Sequence, residues 1–308
     1  MQRNMAHVSH RNAIAAIDAV ELARLKETSD RPALGRLAGH IGLLALTGAG
    51  VILAPNWPLW CLAVLVHGIV LVFLFTLEHE AIHGTAFRSP WLNSLCAEIG
   101  GYLLILPPRR FRYFHFAHHR YTQDAEHDPE LATPRPRSLR EYIPYLSGLP
   151  YWRAQLALLI GNALDHGIEP YVPANGKTKV IAEARATILA TLALVALSLW
   201  NGWTWPLELW IVPALLGQPF LRAFLLAEHG ACPLVEDMLV NSRTTFASAA
   251  VRFLAWNMPF HTAHHALPVV PFHRLPALTS ILRDRLGCTA DGYADAHRQI
   301  RASWPAER

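Results

Sequence analysis

Eight histidines in three short clusters carry the chemistry that this chain can do. The clusters are His79–Glu80–Ala81–Ile82–His83, His115–Phe116–Ala117–His118–His119 and His261–Thr262–Ala263–His264–His265. Their spacings read HxxxH, HxxHH and HxxHH. On a helix, residues three and four apart share a face, so each cluster aims its imidazoles in one direction. Imidazole binds borderline divalent metals such as iron, zinc and copper, and eight imidazoles exceed what one ion can use. The pattern predicts two metal ions in one site. With 17 histidines in 308 residues a single HxxxH carries little weight. Three clusters, two of them repeating one spacing, are a poor fit to chance. Spacing alone does not select the metal, since zinc and manganese are also compatible.

The elements that must position these clusters are membrane helices. The chain is 52% hydrophobic and only 16% charged, with a mean hydropathy of +0.21. Soluble domains carry about a quarter charged residues. Four apolar spans are expected, over Leu37 to Ala54, Leu59 to Leu77, Val180 to Trp200 and Leu209 to Ala227. Each is long enough for a hydrocarbon core of about 30 Å, the first being near the lower limit. Pro55–Asn56–Trp57–Pro58 and Asn201 to Pro206 join them into two hairpins. A shorter stretch, Trp91 to Leu106, carries Glu98 and ends at Pro107–Pro108. A full crossing there would separate the first two clusters, so it reads as a re-entrant or buried helix. Residues 12–26 read as one amphipathic helix on the membrane surface or against the protein. Met1 to Pro32 is polar, and no cleaved signal peptide is expected.

The fold class is therefore an all-α integral membrane protein with a helical cap that carries the histidines. The chain divides into an N-terminal helix (1–36), a first hairpin (37–77), a segment with two clusters (78–179), a second hairpin (180–227) and a last segment with the third (228–308). Together these form a single membrane-embedded domain. The net charge is +4, yet most arginines fall between the spans rather than in a nucleic-acid-binding patch; the exceptions, Arg185 and Arg222, lie within spans but toward the ends that join the arginine-bearing segments. Neither hairpin turn contains Lys or Arg. The positive-inside rule then places both termini and all three clusters in the cytosol. Charge counting did not assume that agreement.

His229 ends the fourth span on the side where the clusters meet, which makes it a ninth candidate ligand. His67 lies mid-span and reads as a packed helix residue, and His40 as interfacial. His127, His166 and His273 read as surface residues, and His7, His10 and His297 carry no signal. Glu78, Glu80, Asp124, Asp128 and Glu228 are the carboxylates that could orient ligand imidazoles through their second ring nitrogen. The cysteines, Cys61, Cys96, Cys232 and Cys288, stand far apart, with no CxxC and no evident disulfide framework.

The ordered boxes flanking paired hairpins resemble the membrane fatty acid desaturase and hydroxylase superfamily. His118–His119–Arg120–Tyr121–Thr122–Gln123–Asp124, Arg252 to Phe260 leading into His261, and Pro268 to Pro276 add to the likeness. The resemblance covers roughly Val51 to Pro276. It implies two iron ions held by His79, His83, His115, His118, His119, His261, His264 and His265, with His229 matching the family's isolated histidine. It also implies O2 as co-substrate and a lipid or fatty acyl substrate drawn from the bilayer. Acyl-CoA desaturases carry an asparagine four residues before that isolated histidine, and here Leu225 takes its place. No haem motif of the His-Pro-Gly-Gly kind, cysteine quartet or GxGxxG is present. A separate electron donor, ferredoxin-like or cytochrome, and a reductase are therefore implied. Arg109, Arg110, Arg112 and Arg120 could dock an acidic donor or a lipid head group, or simply hold topology. A hydroxylase with the same site is the alternative. A divalent-metal transporter fits less well, because transporters place ligands near the bilayer midplane.

Overall fold

Proline and glycine cut the apolar sequence into helices at the places where each backbone hydrogen-bond ladder must end. In the computed structural model, which describes residues 9–305, the chain is mostly helical. Two short helices, α1 (His10–Ala15) and α2 (Ala19–Leu25), open it. They replace the single amphipathic helix expected over 12–26. Asp18 breaks that helix by capping α2, its carboxylate accepting from Val20 N and Glu21 N. His7 lies outside the described residues.

The long helix α3 (Asp30–Ile52) turns at Pro55–Asn56 into α4 (Trp57–Val72), which a break at Phe73 joins to α5 (Leu74–His83). Next come α6 (Pro90–Leu104) and α7 (Pro108–Tyr121), then α8 (Leu139–Ser147) and α9 (Leu149–Ala163), which meet at Gly148. The helix α10 (Ala174–Asn201) stops at Gly202, whose φ of 66° is left-handed. A π-helical turn, Leu207–Ile211, leads into α11 (Val212–His229). The C-terminal segment holds α12 (Met238–Asn241), α13 (Ala249–Leu254), α14 (His261–Ala266), α15 (Leu275–Leu282) and α16 (Tyr293–Ala302). A pair of two-residue parallel strands, β1 (Thr244–Thr245) and β2 (Thr289–Ala290), is the one departure from all-α among the described residues.

Four stretches are long and apolar enough to cross a membrane: Ala19–Ile52, Trp57–His83, Ala174–Asn201 and Leu207–His229. The outward side chains of α10, among them Leu189, Leu192, Leu199 and Trp200, are exposed as lipid-facing residues are. The helix α6, too short to be among the spans, packs along α5.

The closest packing is between α4 and α11. Gly68 lies against the Pro213 carbonyl and Gly217 against the Gly68 carbonyl, so closely that a Cβ at either would overlap backbone. The two histidines within the bundle are paired. His67, 3.0 Å from the Leu209 carbonyl inside the π turn, donates Nε2–H to it, and its Nδ1 is 2.8 Å from Thr47 Oγ1. His40 is fully buried rather than interfacial. Its Nε2 donates to the Val70 carbonyl (2.9 Å), freed by the nearby helix break, and its Nδ1 accepts from Trp256 Nε1 (3.3 Å). Cys232 and Cys288 form a disulfide across 56 residues, with Cα atoms 6.2 Å apart. The sequence separation concealed that pairing.

Candidate metal centre

The three clusters fall on three helices whose ends meet. His79 and His83 sit one turn apart on the last turns of α5, and Gly84, left-handed at φ 78°, stops that helix directly after them. His115, His118 and His119 occupy one face of α7, and His261, His264 and His265 the short α14. His229 closes α11. The structure brings all nine together, in two groups.

The larger group is His79, His83, His115, His119 and His264, with one ring nitrogen of each within 4.8 Å of the others. The Nε2 atoms face one another: His79 to His264 at 2.9 Å, His83 to His115 at 2.8 Å, His115 to His119 at 2.9 Å and His119 to His264 at 3.1 Å. Five inward-facing imidazole nitrogens cannot satisfy one another as donors and acceptors, so the arrangement calls for a cation at its centre. The second group is His118, His229 and His265, again within 4.8 Å. His261 joins it by pointing Nε2 at that of His229, 3.0 Å away. His119 and His265 stack with ring centroids 4.1 Å apart, so the two groups are neighbours. The donor set fits two borderline divalent ions.

Outward ring nitrogens are held in the smaller group. His118 Nδ1 donates to Asp128 Oδ1 at 2.9 Å, with Glu130 Oε2 3.6 Å away. Asp128 also accepts from Gln123 N (2.8 Å) and Glu130 N (2.9 Å), which fixes the carboxylate. His229 Nδ1 donates to the Asn241 carbonyl at 3.1 Å, and His265 Nδ1 lies 3.2 Å from Thr122 Oγ1. Glu228 Oε1 is 3.2 Å from His261 Nδ1, near but not aligned as a hydrogen bond.

Of the other carboxylates singled out in the sequence, Glu80 accepts from Phe272 N at 2.8 Å, tying α5 to the segment after the third cluster. Asp124 is exposed and pairs with His127, away from the nine histidines. Glu78 is buried with neither oxygen partnered and faces Gly100 and Gly101. Asn241, Gln123 and Thr122 were not foreseen as orienting residues. Gln123 Nε2 donates to the carbonyls of His229 and Asn241, 3.1 Å each, and so locks the chain around His229. The hint in the sequence was that Thr122 and Gln123 belong to the stretch His118 to Asp124 that carries part of the family resemblance.

Metal ligation by imidazole needs the neutral form. Burial, reinforced by neighbouring imidazoles, holds His115, His119, His261 and His265 well below the usual 6.5, and His264 down to about 3. His118 moves the other way: burial opposes the shift, but the Glu130 and Asp128 carboxylates outweigh it and raise the value. Lowered folded values mean that the unfolded chain takes up protons first as pH falls through 6.5, so acid favours unfolding. We expect the metal-free protein to lose several degrees of melting temperature between pH 7 and pH 5 and to change much less between 7 and 8. A flat thermal-shift profile from 7 to 5 would contradict that. A second expectation concerns Asp128→Asn, which keeps the shape but removes the anion facing His118. Metal affinity should fall about 10- to 100-fold in a chelator competition.

Comparison with known proteins bears on the same residues. A family model described as fatty acid desaturase matches residues 55–296, a range that contains all nine histidines. The chain is 24% identical over 274 residues to an sn-1 oleoyl-lipid 12-desaturase of Picosynechococcus sp., covering 80% of this chain and 76% of the relative. It is 26% identical to the Delta(12) fatty acid desaturase of Calendula officinalis, over 75% of this chain and 67% of that one. A chloroplastic sn-2 acyl-lipid omega-3 desaturase (ferredoxin) of Arabidopsis thaliana is 23% identical, over 82% and 62%. With four apolar spans and a convergent histidine site already in place, a match over most of the length makes this chain a membrane-bound member of the fatty acid desaturase family.

Proposed function

We propose that this protein is an O2-dependent, di-iron lipid desaturase that inserts a double bond into an alkyl chain. The observation that carries the reading is the division of nine buried or half-buried histidines into groups of five and four at one end of the helix bundle. His79, His83, His115, His119 and His264 would hold one iron, and His118, His229, His261 and His265 the other. Two irons held there would activate O2, the oxidant that attack on an unactivated C–H bond demands. The chain's own part is to keep imidazoles neutral, fix them through Asp128 and the Asn241 carbonyl, and exclude water by burial. The whole chain acts as a single membrane-embedded unit, with both termini and the histidine end in the cytosol.

Electrons would come from a separate carrier and reductase. Relatives are named for both kinds of donor: the Arabidopsis enzyme above for ferredoxin, and an endoplasmic-reticulum omega-3 desaturase of the same plant for cytochrome b5. The test is mass spectrometry of total lipid from a host expressing the protein, beside a His118→Ala control. A new lipid lacking two hydrogens supports the desaturase. A lipid gaining one oxygen would replace it with a hydroxylase built on the same ligands.

A further inference from the structure

We propose that Arg222, Gln218 and Trp152 form a partly buried socket for the carbonyl end of the acyl substrate. The proposal deepens the desaturase reading and rests on it. An arginine inside a membrane span faces a partner or a polar cavity and marks a functional path. Arg222 has no carboxylate within ion-pair range among the described residues. Its guanidinium lies 4.5 Å from the Tyr151 ring centroid and 5.6 Å from that of Tyr145, and its Nε lacks a hydrogen-bond partner.

One turn away on α11, Gln218 is 0% exposed, and neither its amide oxygen nor its amide nitrogen is bonded. Gly148, at the corner between α8 and α9, packs directly on the Gln218 side chain. The first turn of α9 then brings Tyr151 and Trp152, ring centroids 5.3 Å apart, and the buried indole Nε1 of Trp152 is also unbonded. Buried polar groups in native proteins are nearly always satisfied. An arginine Nε, an amide and an indole N–H without partners around one corner imply an acceptor that the chain itself does not supply.

Burial pushes the Tyr151 phenol up to about 12; Arg222 pulls it down and Glu78 pushes it up, so both charged groups act on this corner. Glu78 offers two unbonded oxygens, and Glu228 lies further along α11. An ester carbonyl and a free carboxylate present the same acceptor oxygen to these donors, and the binding ranking distinguishes them. Arg222 precedes His229 by seven residues of α11, about 10 Å along the axis. A chain held this way presents to the histidines a carbon about that far from its carbonyl.

The test is equilibrium binding of radiolabelled methyl palmitate, palmitate and hexadecane to purified protein in nanodiscs, with no turnover. The wild type should bind methyl palmitate about 10- to 100-fold more tightly than hexadecane, the range of a hydrogen bond to a charged donor. Arg222→Leu should erase that preference, Arg222→Lys should restore part of it, and Gln218→Leu should weaken it. Each variant is compared at wild-type metal content and gel-filtration profile. Palmitate binding more tightly than its ester would assign the free acid as the ligand of the same socket. Equal binding of all three by the wild type, or an Arg222→Leu protein that keeps the preference, would overturn the proposal. If Arg222→Leu does not fold, the wild-type ranking and Gln218→Leu decide. A preserved preference in a protein that makes no new lipid would remove the desaturase reading and leave the socket standing.

Discussion

His265→Ala should lower bound metal from about two ions per chain to about one, whereas His83→Ala should retain nearly two. The difference follows from how the imidazoles divide. His83 belongs to a group of five whose Nε2 atoms already face one another at close range, so four ligands remain after its loss. His265 belongs to the smaller group, where its removal leaves His118 and His229 with His261, which reaches in only toward His229. His83 is also partly exposed, while His265 is buried, so a water can replace the first ligand more easily than the second. Metal analysis of protein purified from iron-supplemented cells checks this directly. Equal loss of both ions in both variants would mean that the two groups act as one shared site. Lipid oxidation should fall to background in His265→Ala and stay measurable, though reduced, in His83→Ala.

The features legible in the sequence were those fixed by local spacing. The first cluster could be placed on a helix because its two histidines are four residues apart, and α5 carries it on its last turns. The third cluster is likewise a helical turn, although α14 is only six residues long. Hairpin turns were visible because Pro55 and Gly202 end their helices for backbone reasons that do not depend on the rest of the fold. What the sequence hid depends on distant partners. His40 looked interfacial from its place at the start of a span, but its environment is set by Val70 and Trp256, 30 and 216 residues away. Asp124 is nearer the second cluster in sequence, five residues after His119 against nine for Asp128. The turn after α7 sends Asp128 back to His118 and leaves Asp124 outside with His127. Asn241 acts through its backbone carbonyl, so no side-chain pattern could have announced it. The pairing of Cys232 with Cys288 runs beside the short strand pair, and neither is visible without the other.

The packing of α4 on α11 carries the second large prediction: Gly68→Ala and Gly217→Ala should each destabilise the protein by about 3 kcal/mol, near the upper end of ordinary overpacking costs. The neighbours at these positions are backbone atoms, which cannot rotate aside as a flexible side chain would. The helices must separate instead, and both lead to the site. From the crossing, α4 and α5 run 11 residues to His79 and α11 runs 12 residues to His229, roughly 16 to 18 Å along each helix. Similar lever arms on both sides mean that a separation at the glycines reaches both histidine groups. The two substitutions act on one contact, so the double variant should cost clearly less than the sum of the singles. Thermal unfolding in detergent, with bound metal counted in parallel, reads both effects. A Gly68→Ala protein with wild-type melting temperature and metal content would show that the crossing is looser than the structure has it. Strict additivity in the double variant would show that the two glycines serve separate contacts.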